Sequence, residues 1–273
     1  MRLQFGGRRE EAIWDLEDAP EYEFVSLPPY RLTRRVKSWV QDLLDSREVS
    51  IGVRLIPDWA DHRNQVLELV SDSYIAFKDP KRAVFMLSPV HGDLNSENIL
   101  LWLNYDKYPF LIDLPFNQKD GHVLQDFARL EVEINLALLD RQEETPASEL
   151  AGYDYSLSQI PLWLEMEKHL LRQVGLIENG ASNLNTKDHG FESDGYKENV
   201  RLCYKLVTTL REKACLIQQR PLNGVLAAKT FQDEYLPPLL YHYVRAITYP
   251  SLSIFRRLIA VYVSAAILRQ IGR

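Results

Sequence analysis

Cysteine is scarce in this chain, and this scarcity argues against two common ways of stabilising a small fold. The 273 residues include only Cys203 and Cys215, which lie twelve positions apart in a helical pattern. There is no Cys-x-x-Cys pair and no histidine at metal-ligand spacing, so neither a disulfide framework nor a cysteine-ligated zinc site is expected. We expect both thiols to be buried as apolar side chains in a reducing compartment.

Long hydrophobic runs are also missing. The longest, from Leu258 to Leu268, contains Ser264 and is too short to cross a bilayer. The first ten residues lack the apolar segment of a signal peptide. We therefore expect a cytoplasmic protein without a membrane span, in which this run is a core helix. The alternative is an interfacial anchor with Arg256 and Arg257 at its edge.

Positive charge is in the minority. The net charge of -6 and the sequence pI of 5.6 argue against nonspecific binding to nucleic acid. The acid is concentrated between Glu131 and Glu198, where 14 Asp and Glu face 5 Lys and Arg. This region is either a surface that attracts a cationic substrate or simply a set of solvated helix faces.

Apolar residues recur at helical spacing along most of the chain, which predicts a mainly α-helical fold. Helices are predicted after Thr33 and Pro57, and over residues 123–139, 161–174, 198–218, 238–247 and 251–271. The predicted inward stripes are Trp59, Val66, Val70, Tyr74 and Phe77; Phe127, Leu130, Ile134 and Leu138; and Leu202, Leu206, Leu210 and Cys215. Ser251 is the expected cap of the last helix. Residues 25–273 are expected to form one domain after an N-terminal segment, 1–24.

A loop between predicted strands carries the residues that suggest chemistry. A strand over 83–87 leads into His91–Asn98, which reads His-Gly-Asp-Leu-Asn-Ser-Glu-Asn. A predicted hairpin then joins 98–103 to 110–112 through a turn at 104–107. Because a hairpin reverses the chain, it brings Asn98 and Asp113 to the same end.

These residues suit phosphoryl transfer, in which a protein mainly positions groups and neutralises charge. Asp93 would orient or deprotonate an attacking hydroxyl, while Asn98 and Asp113 would supply two oxygen ligands for Mg²⁺. Each residue alone is a common turn former. Their combination with the hairpin predicts a metal and phosphate site.

The order of these features resembles the C-terminal lobe of the aminoglycoside phosphotransferase and choline kinase group, which has the protein-kinase-like fold. The features are the loop motif, the hairpin, Leu111-Ile-Asp113 and the Asp126-Phe-Ala segment. The resemblance covers roughly residues 24–140 and implies an α+β, mainly α-helical lobe with a small β-hairpin.

The resemblance also implies roles for individual residues. Asp93 would be the catalytic base, and Asn98 and Asp113 would bind Mg²⁺ together with ATP or another NTP. His91, the second candidate catalytic residue, would brace the loop. Asp126 would hold the loop by hydrogen bonds from the following helix.

Gly121-His122 followed by Asp126-Phe-Ala-Arg-Leu-Glu131 is similar to kinase-like, ternary-complex-associated domains of bacterial conflict and signalling systems. Ordinary antibiotic kinases more often carry Gly-Asp-Pro at the Gly-His position, which disfavours an antibiotic substrate. His122 would either touch substrate or metal, or support the start of the helix.

The chain departs from this family before His91, where the family places a β-rich N-lobe with a phosphate-covering loop and a strand lysine. Gly6-Gly7 has no following lysine at suitable spacing, and the first lysine, Lys37, lies on a predicted helix. We expect this lobe to be truncated, or supplied by a partner protein or an upstream domain.

Two functional expectations follow. The first is an ATP-dependent phosphotransferase that acts on a hydroxyl of a small molecule or a protein. The second is a kinase-like binding or regulatory module with weak or no catalysis.

Overall fold

Six α-helices and four pairs of short strands form the part of the chain described by the structure, a computed structural model. The described residues are 25–26, 30–32, 34–46, 49, 56, 58–72, 74–75, 84–85, 87–102, 108–112, 118–140, 164, 166, 170, 197–218 and 231–271. The predicted segment 1–24, the turn at 104–107 and Phe77 lie outside them. The mainly α-helical character predicted from the sequence is confirmed.

The helices are α1 Arg34–Leu44, α2 Trp59–Asp72, α3 Gln125–Asp140, α4 Lys197–Gln218, α5 Phe231–Ala246 and α6 Ile254–Gln270. Leu164, Met166 and Leu170, from the predicted helix over 161–174, are also helical and are buried. Helix α3 packs against α4 and α5, α5 packs against α6, α6 against α2, and α2 against α1. One continuous apolar core joins these helices. No helix among the described residues is long and apolar enough to cross a membrane.

The strands are β1 Val25–Ser26, β2 Tyr30–Arg31, β3 Tyr74–Ile75, β4 Val84–Phe85, β5 Leu87–Val90, β6 Ile99–Trp102, β7 Tyr108–Leu111 and β8 Gln118–His122. Antiparallel pairs form between β1 and β4, β2 and β3, β5 and β8, and β6 and β7. The β6–β7 pair is the predicted hairpin. The β5–β8 pair lies on either side of the His91 loop in sequence, and β8 leads directly into α3.

Helix α3 buries a different face from the predicted one. Ala128, Val132 and Leu136 are buried, whereas Phe127 and Ile134 are only partly buried. The apolar stripe misleads here because Glu131 and Asn135, which are polar, also face the core. Counting apolar residues alone therefore assigns the wrong rotation to this helix.

Helix α4 shows the same error more clearly. Leu202 and Leu206, predicted to face inward, are each 42% exposed. The buried positions are Cys203, Tyr204, Val207, Thr208, Arg211, Ala214 and Cys215. The two cysteines are free and buried, as predicted. Successive residues lie about 100° apart around a helix. Because the buried positions follow the predicted ones by one residue, the buried face of α4 is the one that carries Arg211.

Three smaller boundaries also differ from the prediction. Helix α5 starts at Phe231 and contains Pro237 and Pro238 inside it, although proline was expected at its beginning. The side chain of Ser253, not Ser251, caps α6 by accepting a hydrogen bond from the Arg256 backbone N–H. In the second predicted helix, Tyr74 belongs to strand β3. The first two differences lie at helix ends, where propensity alone is least decisive.

A buried ion pair joins three of the helices. The Arg211 guanidinium donates to the two Glu131 carboxylate oxygens at 2.8 and 2.5 Å, and Tyr235 Oη donates to Glu131 Oε2 at 2.7 Å. Arg211 also donates to the Leu170 carbonyl oxygen. Burial, reinforced by the Glu131 charge, raises the pKa of Tyr235 well above its usual value. Glu131 is thus a core residue and does not contribute to the predicted acidic surface.

Candidate functional site

The backbone of the His91 loop is held by one carboxylate from helix α3. Asp126 Oδ2 accepts from the His91 backbone N–H at 2.6 Å, and Asp126 Oδ1 accepts from the Gly92 N–H at 2.9 Å. Gly92 has a φ of 83°, a backbone conformation that residues with a Cβ rarely adopt. The loop sequence and the first turn of α3 therefore fix the bend of the loop together.

The His91 side chain links the loop to the end of the hairpin. Its Nε2 lies 2.8 Å from the Ile112 carbonyl oxygen, and the ring is buried. Because a carbonyl only accepts, this contact assigns the ring proton to Nε2. Ile112 immediately precedes Asp113, which lies outside the described residues, so the predicted position of the Asp113 carboxylate stays a prediction.

Two asparagines shape the second half of the loop. Asn95 Oδ1 accepts from the backbone N–H groups of Glu97 and Asn98 and caps the short 3₁₀ turn Ser96–Asn98. Asn98 Nδ2 donates to the Asp93 carbonyl oxygen at 2.8 Å. Since the amide nitrogen is engaged in this bond, the amide oxygen is the Asn98 atom that could bind a cation.

The Asp93 carboxylate is paired with an arginine that the sequence analysis did not single out. Arg129 Nε lies 3.3 Å from Asp93 Oδ1, and Arg129 Nη1 lies 3.3 Å from Glu133 Oε2. Ser96 Oγ donates to the other Glu133 oxygen at 3.1 Å. The spacing of 126, 129 and 133 is helical, so this spacing was the signal that all three could face the loop.

His122 lies in the β5–β8 pair and is not exposed. It is the last residue of β8, pairs in register with Leu87, and is buried. Both expected roles of His122, support of the start of α3 and contact with a substrate or metal, stay predictions. Another buried histidine, His242, lies in α5; burial lowers its pKa well below the usual value, and the charges of Arg129 and Arg245 lower it further.

Gly121 allows β5 and β8 to approach closely. A Cβ built at Gly121 would lie 2.0 Å from Val90 Cγ2, far inside van der Waals contact. The strand register also shifts between Ser88 and Val90 at this point. The glycine therefore sets the distance between the strand that enters the loop and the strand that leads to Asp126.

We predict that Gly121→Ala lowers the free energy of unfolding by about 1–3 kcal/mol, the usual cost of inserting atoms into a packed site. Chemical denaturation measures this change. Val90→Ala combined with Gly121→Ala removes the clashing methyl group and should recover part of the loss. Because Val90→Ala also removes buried methyl groups, Val90→Ala alone is the control; losses that simply add in the double variant would show that the contact with Val90 is not the cause.

A cavity of about 400 Å³ opens beside the loop. Its polar walls include Asn95, Glu97, Arg129, Glu133 and Arg256, with Tyr249 on one side. Arg129 joins this cavity to Asp93, because the same guanidinium contacts both. The volume falls in the range of small-molecule sites, so the cavity is large enough to hold a small ligand.

The described residues contain no group of three His, Cys, Asp or Glu side chains placed to hold a metal ion. The predicted Mg²⁺ ligands are one amide oxygen and one carboxylate, Asn98 and Asp113, and the second lies outside the described part of the chain.

The comparison with protein families covers the loop and its network of hydrogen bonds, but not the part of the cavity wall beyond residue 246. Residues 62–246 match the family described as ternary complex associated domain 9, and that span includes the His91 loop, the hairpin and all of α3. The chain belongs to the ternary complex associated domain 9 family. No curated protein and no solved structure matches it. This family assignment confirms the ternary-complex-associated part of the resemblance, and the network around Asp93 is thus an internal feature of the ternary complex associated domain.

Proposed function

We propose that this ternary complex associated domain is a kinase-like, Mg²⁺-dependent phosphotransferase that transfers the γ-phosphoryl group of ATP or another NTP to a hydroxyl. The observation that supports this most is that two side chains hold the backbone of the His91 loop by hydrogen bonds. Asp126 holds the backbone at His91 and Gly92, and Asn98 holds the Asp93 carbonyl. The Asp93 carboxylate and the Asn98 amide oxygen thereby lie on one braced loop, as positional catalysis requires.

In this proposal Asp93 receives or orients the acceptor hydroxyl. Asn98 and Asp113 hold Mg²⁺, which would neutralise charge on the phosphates. His91 has a bracing role through its contact with Ile112. The acceptor would occupy the cavity that Arg129 and Glu133 line, and a partner protein or another domain would supply groups that cover the nucleotide.

The hairpin offers an apolar surface for the nucleotide base. Leu100 is 50% exposed and Ile112 is 38% exposed. Leu100 pairs in register with Phe110, and side chains alternate along a strand, so Leu100 and Ile112 lie on one face of the hairpin. Leu111, 51% exposed, pairs with Ile99 and lies on the other face. An exposed apolar surface next to the proposed metal ligand Asn98 would suit a purine base.

Calorimetric titration with ATP in the presence and absence of Mg²⁺ tests this proposal. We predict that binding needs Mg²⁺ and is lost in Asp113→Ala. Leu100→Asp should weaken binding on the order of tenfold, about 1.4 kcal/mol, because it places charge where the base would pack. Leu111→Asp makes the same change on the opposite face and should bind like the parent. Tight binding that survives Asp113→Ala or removal of Mg²⁺ would rule out the proposed metal role.

The second candidate function is a binding or regulatory module without turnover. The Arg129–Asp93 ion pair favours it, since a carboxylate engaged by a guanidinium is less available to an acceptor hydroxyl. The two candidates differ in a measurable way. Both would bind Mg²⁺ and nucleotide, but only the phosphotransferase would consume the nucleotide in a reaction that depends on Asp93.

A further inference from the structure

The His62 ring joins the start of helix α2 to the end of helix α6. Arg269 Nη2, in the last turn of α6, lies 2.9 Å from His62 Nε2, and Arg269 Nη1 donates to Gln65 Oε1 at 3.3 Å. The ring stacks on Tyr262 of α6, with 4.9 Å between the ring centres and an interplanar angle of 19°. His62 is only 3% exposed. The two helices are thus held together around one buried imidazole.

The backbone at Asp58 determines which nitrogen of this ring carries the proton. His62 Nδ1 lies 2.7 Å from the Asp58 carbonyl oxygen, which can only accept, so Nδ1 is the protonated nitrogen. Arginine has only donors, so Nε2 is the acceptor in the contact with Arg269. Asp58 has a φ of 54°, which is uncommon for a residue with a Cβ. Its carbonyl also accepts from the backbone N–H groups of Asp61 and His62 at 3.0 and 3.1 Å, so the bend holds the ring in one neutral tautomer.

Protonation of the ring would make its contact with Arg269 unfavourable. Both nitrogens of an imidazolium are donors, so the hydrogen bond would be replaced by two facing N–H groups and two positive charges. The burial of the ring leaves little water to compensate. The carboxylates of Asp58 and Asp61 would favour the charged ring. On the α1 side, Asp45 pairs with Arg63 at 2.5 Å and not with the ring.

We infer that the contact between His62 and Arg269 is a pH-sensitive latch, which holds the end of α6 against α2 while the ring is neutral and releases it when the ring is protonated. Burial lowers the pKa of His62 below its ordinary value of 6.5, and this effect, with that of the Arg269 charge, outweighs the opposing effects of the Asp58 carbonyl and of the charges of Asp58 and Asp61. The unfolded chain therefore binds the proton more readily than the folded chain. The stability that the latch contributes is full above pH 6.5 and is lost as the pH falls below that value.

The latch lies at the opposite end of α6 from the cavity beside the His91 loop. Arg256, in the first turn of α6, lines that cavity, and Ser253 caps this end of the helix. Release at Arg269 would leave the start of α6 capped and would free its last turns from α2. A fall in pH would thus loosen one end of the helix whose other end forms part of the cavity wall.

Hydrogen–deuterium exchange of the full chain tests the latch between about pH 7.5 and about pH 5.5, the range in which histidine titrates. After correction for the intrinsic pH dependence of exchange, opening at residues 262–270 should rise on the order of threefold or more at the lower pH. Opening of α4, which does not belong to this contact, should not rise. His62→Gln keeps a neutral acceptor at every pH and should remove the rise.

Arg269→Glu is the second variant, and because Arg269 is exposed the variant should fold like the parent. A carboxylate at this position would favour the protonated ring, so opening at residues 262–270 should fall as the pH is lowered. Lys205→Glu, the same charge change on the exposed face of α4, should leave the rise of the parent unchanged. His242, whose pKa is also lowered, is kept in every variant, so it cannot cause a difference between them.

Three outcomes would overturn the latch. These are an equal rise in the parent and in His62→Gln, an equal rise in α4 and at residues 262–270 of the parent, or a rise in Arg269→Glu as large as that of the parent. Circular dichroism verifies that each variant is folded. If His62→Gln does not fold, the comparison of Arg269→Glu with the parent decides the question, since that variant leaves the buried ring in place.

Discussion

Replacing Arg211 with methionine is expected to lower the free energy of unfolding by about 3–5 kcal/mol, the cost of breaking a buried ion pair on one side. Arg211, Glu131 and Tyr235 are all fully buried. Methionine preserves much of the volume of the arginine stem but leaves the Glu131 carboxylate without its opposite charge. It also removes the donor to the Leu170 carbonyl. An uncompensated buried charge is among the few single changes with so large an effect.

Urea denaturation of parent and variant gives the difference directly. Lys213→Met, on the exposed side of the same helix, is the matched control and should change stability by less than about 0.5 kcal/mol. Combining Arg211→Met with Glu131→Leu and Tyr235→Phe replaces all the polar side chains of the network, so that only the Leu170 carbonyl loses its donor, and should recover much of the loss. An Arg211→Met variant within about 1 kcal/mol of the parent would show that this pair does not hold the core together.

The same ion pair explains where the sequence misled us about the fold. Periodicity located the helices because it depends only on the spacing of apolar residues along one element. It failed on the rotation of α3 and α4 because Glu131 and Arg211 are charged residues that the core nevertheless contains. Their burial depends on each other across 80 positions of the chain. The apolar pattern of one helix contains no information about a partner on another helix. It therefore assigned Leu202 and Leu206, rather than Arg211, to the buried face.

The contacts of the site likewise divide into those between residues close in the sequence, which could be predicted, and those between distant residues, which could not. The loop and the hairpin were predictable because the turn chemistry of Asn95 and the reversal between β6 and β7 act over a few residues. The Asp93–Arg129 pair was not predicted, since it joins residues 36 positions apart and requires the observed rotation of α3.

Asp93→Asn is expected to slow phosphoryl transfer by roughly 10²–10⁴-fold, the usual contribution of a positioned general base. The amide keeps the size of the side chain but has no negative charge with which to attract the acceptor proton. Nucleotide affinity should stay within about twofold of the parent, because the proposed metal ligands are Asn98 and Asp113. This prediction depends on the proposed function, and it concerns turnover alone.

The measurement compares Mg²⁺-dependent nucleotide binding with the rate of nucleotide consumption, using water or small hydroxyl compounds as acceptors. Asp61→Asn, the same change at an exposed position on α2, should leave both quantities unchanged. Equal turnover by parent and Asp93→Asn would show that Asp93 is not the base. Nucleotide binding by the parent without any turnover would favour the regulatory module, in which Arg129 keeps Asp93 paired. In that case Arg129→Met tests whether the ion pair is what prevents turnover. Turnover that appears when the guanidinium is removed would mean that the loop can support phosphoryl transfer and that the ion pair inhibits it.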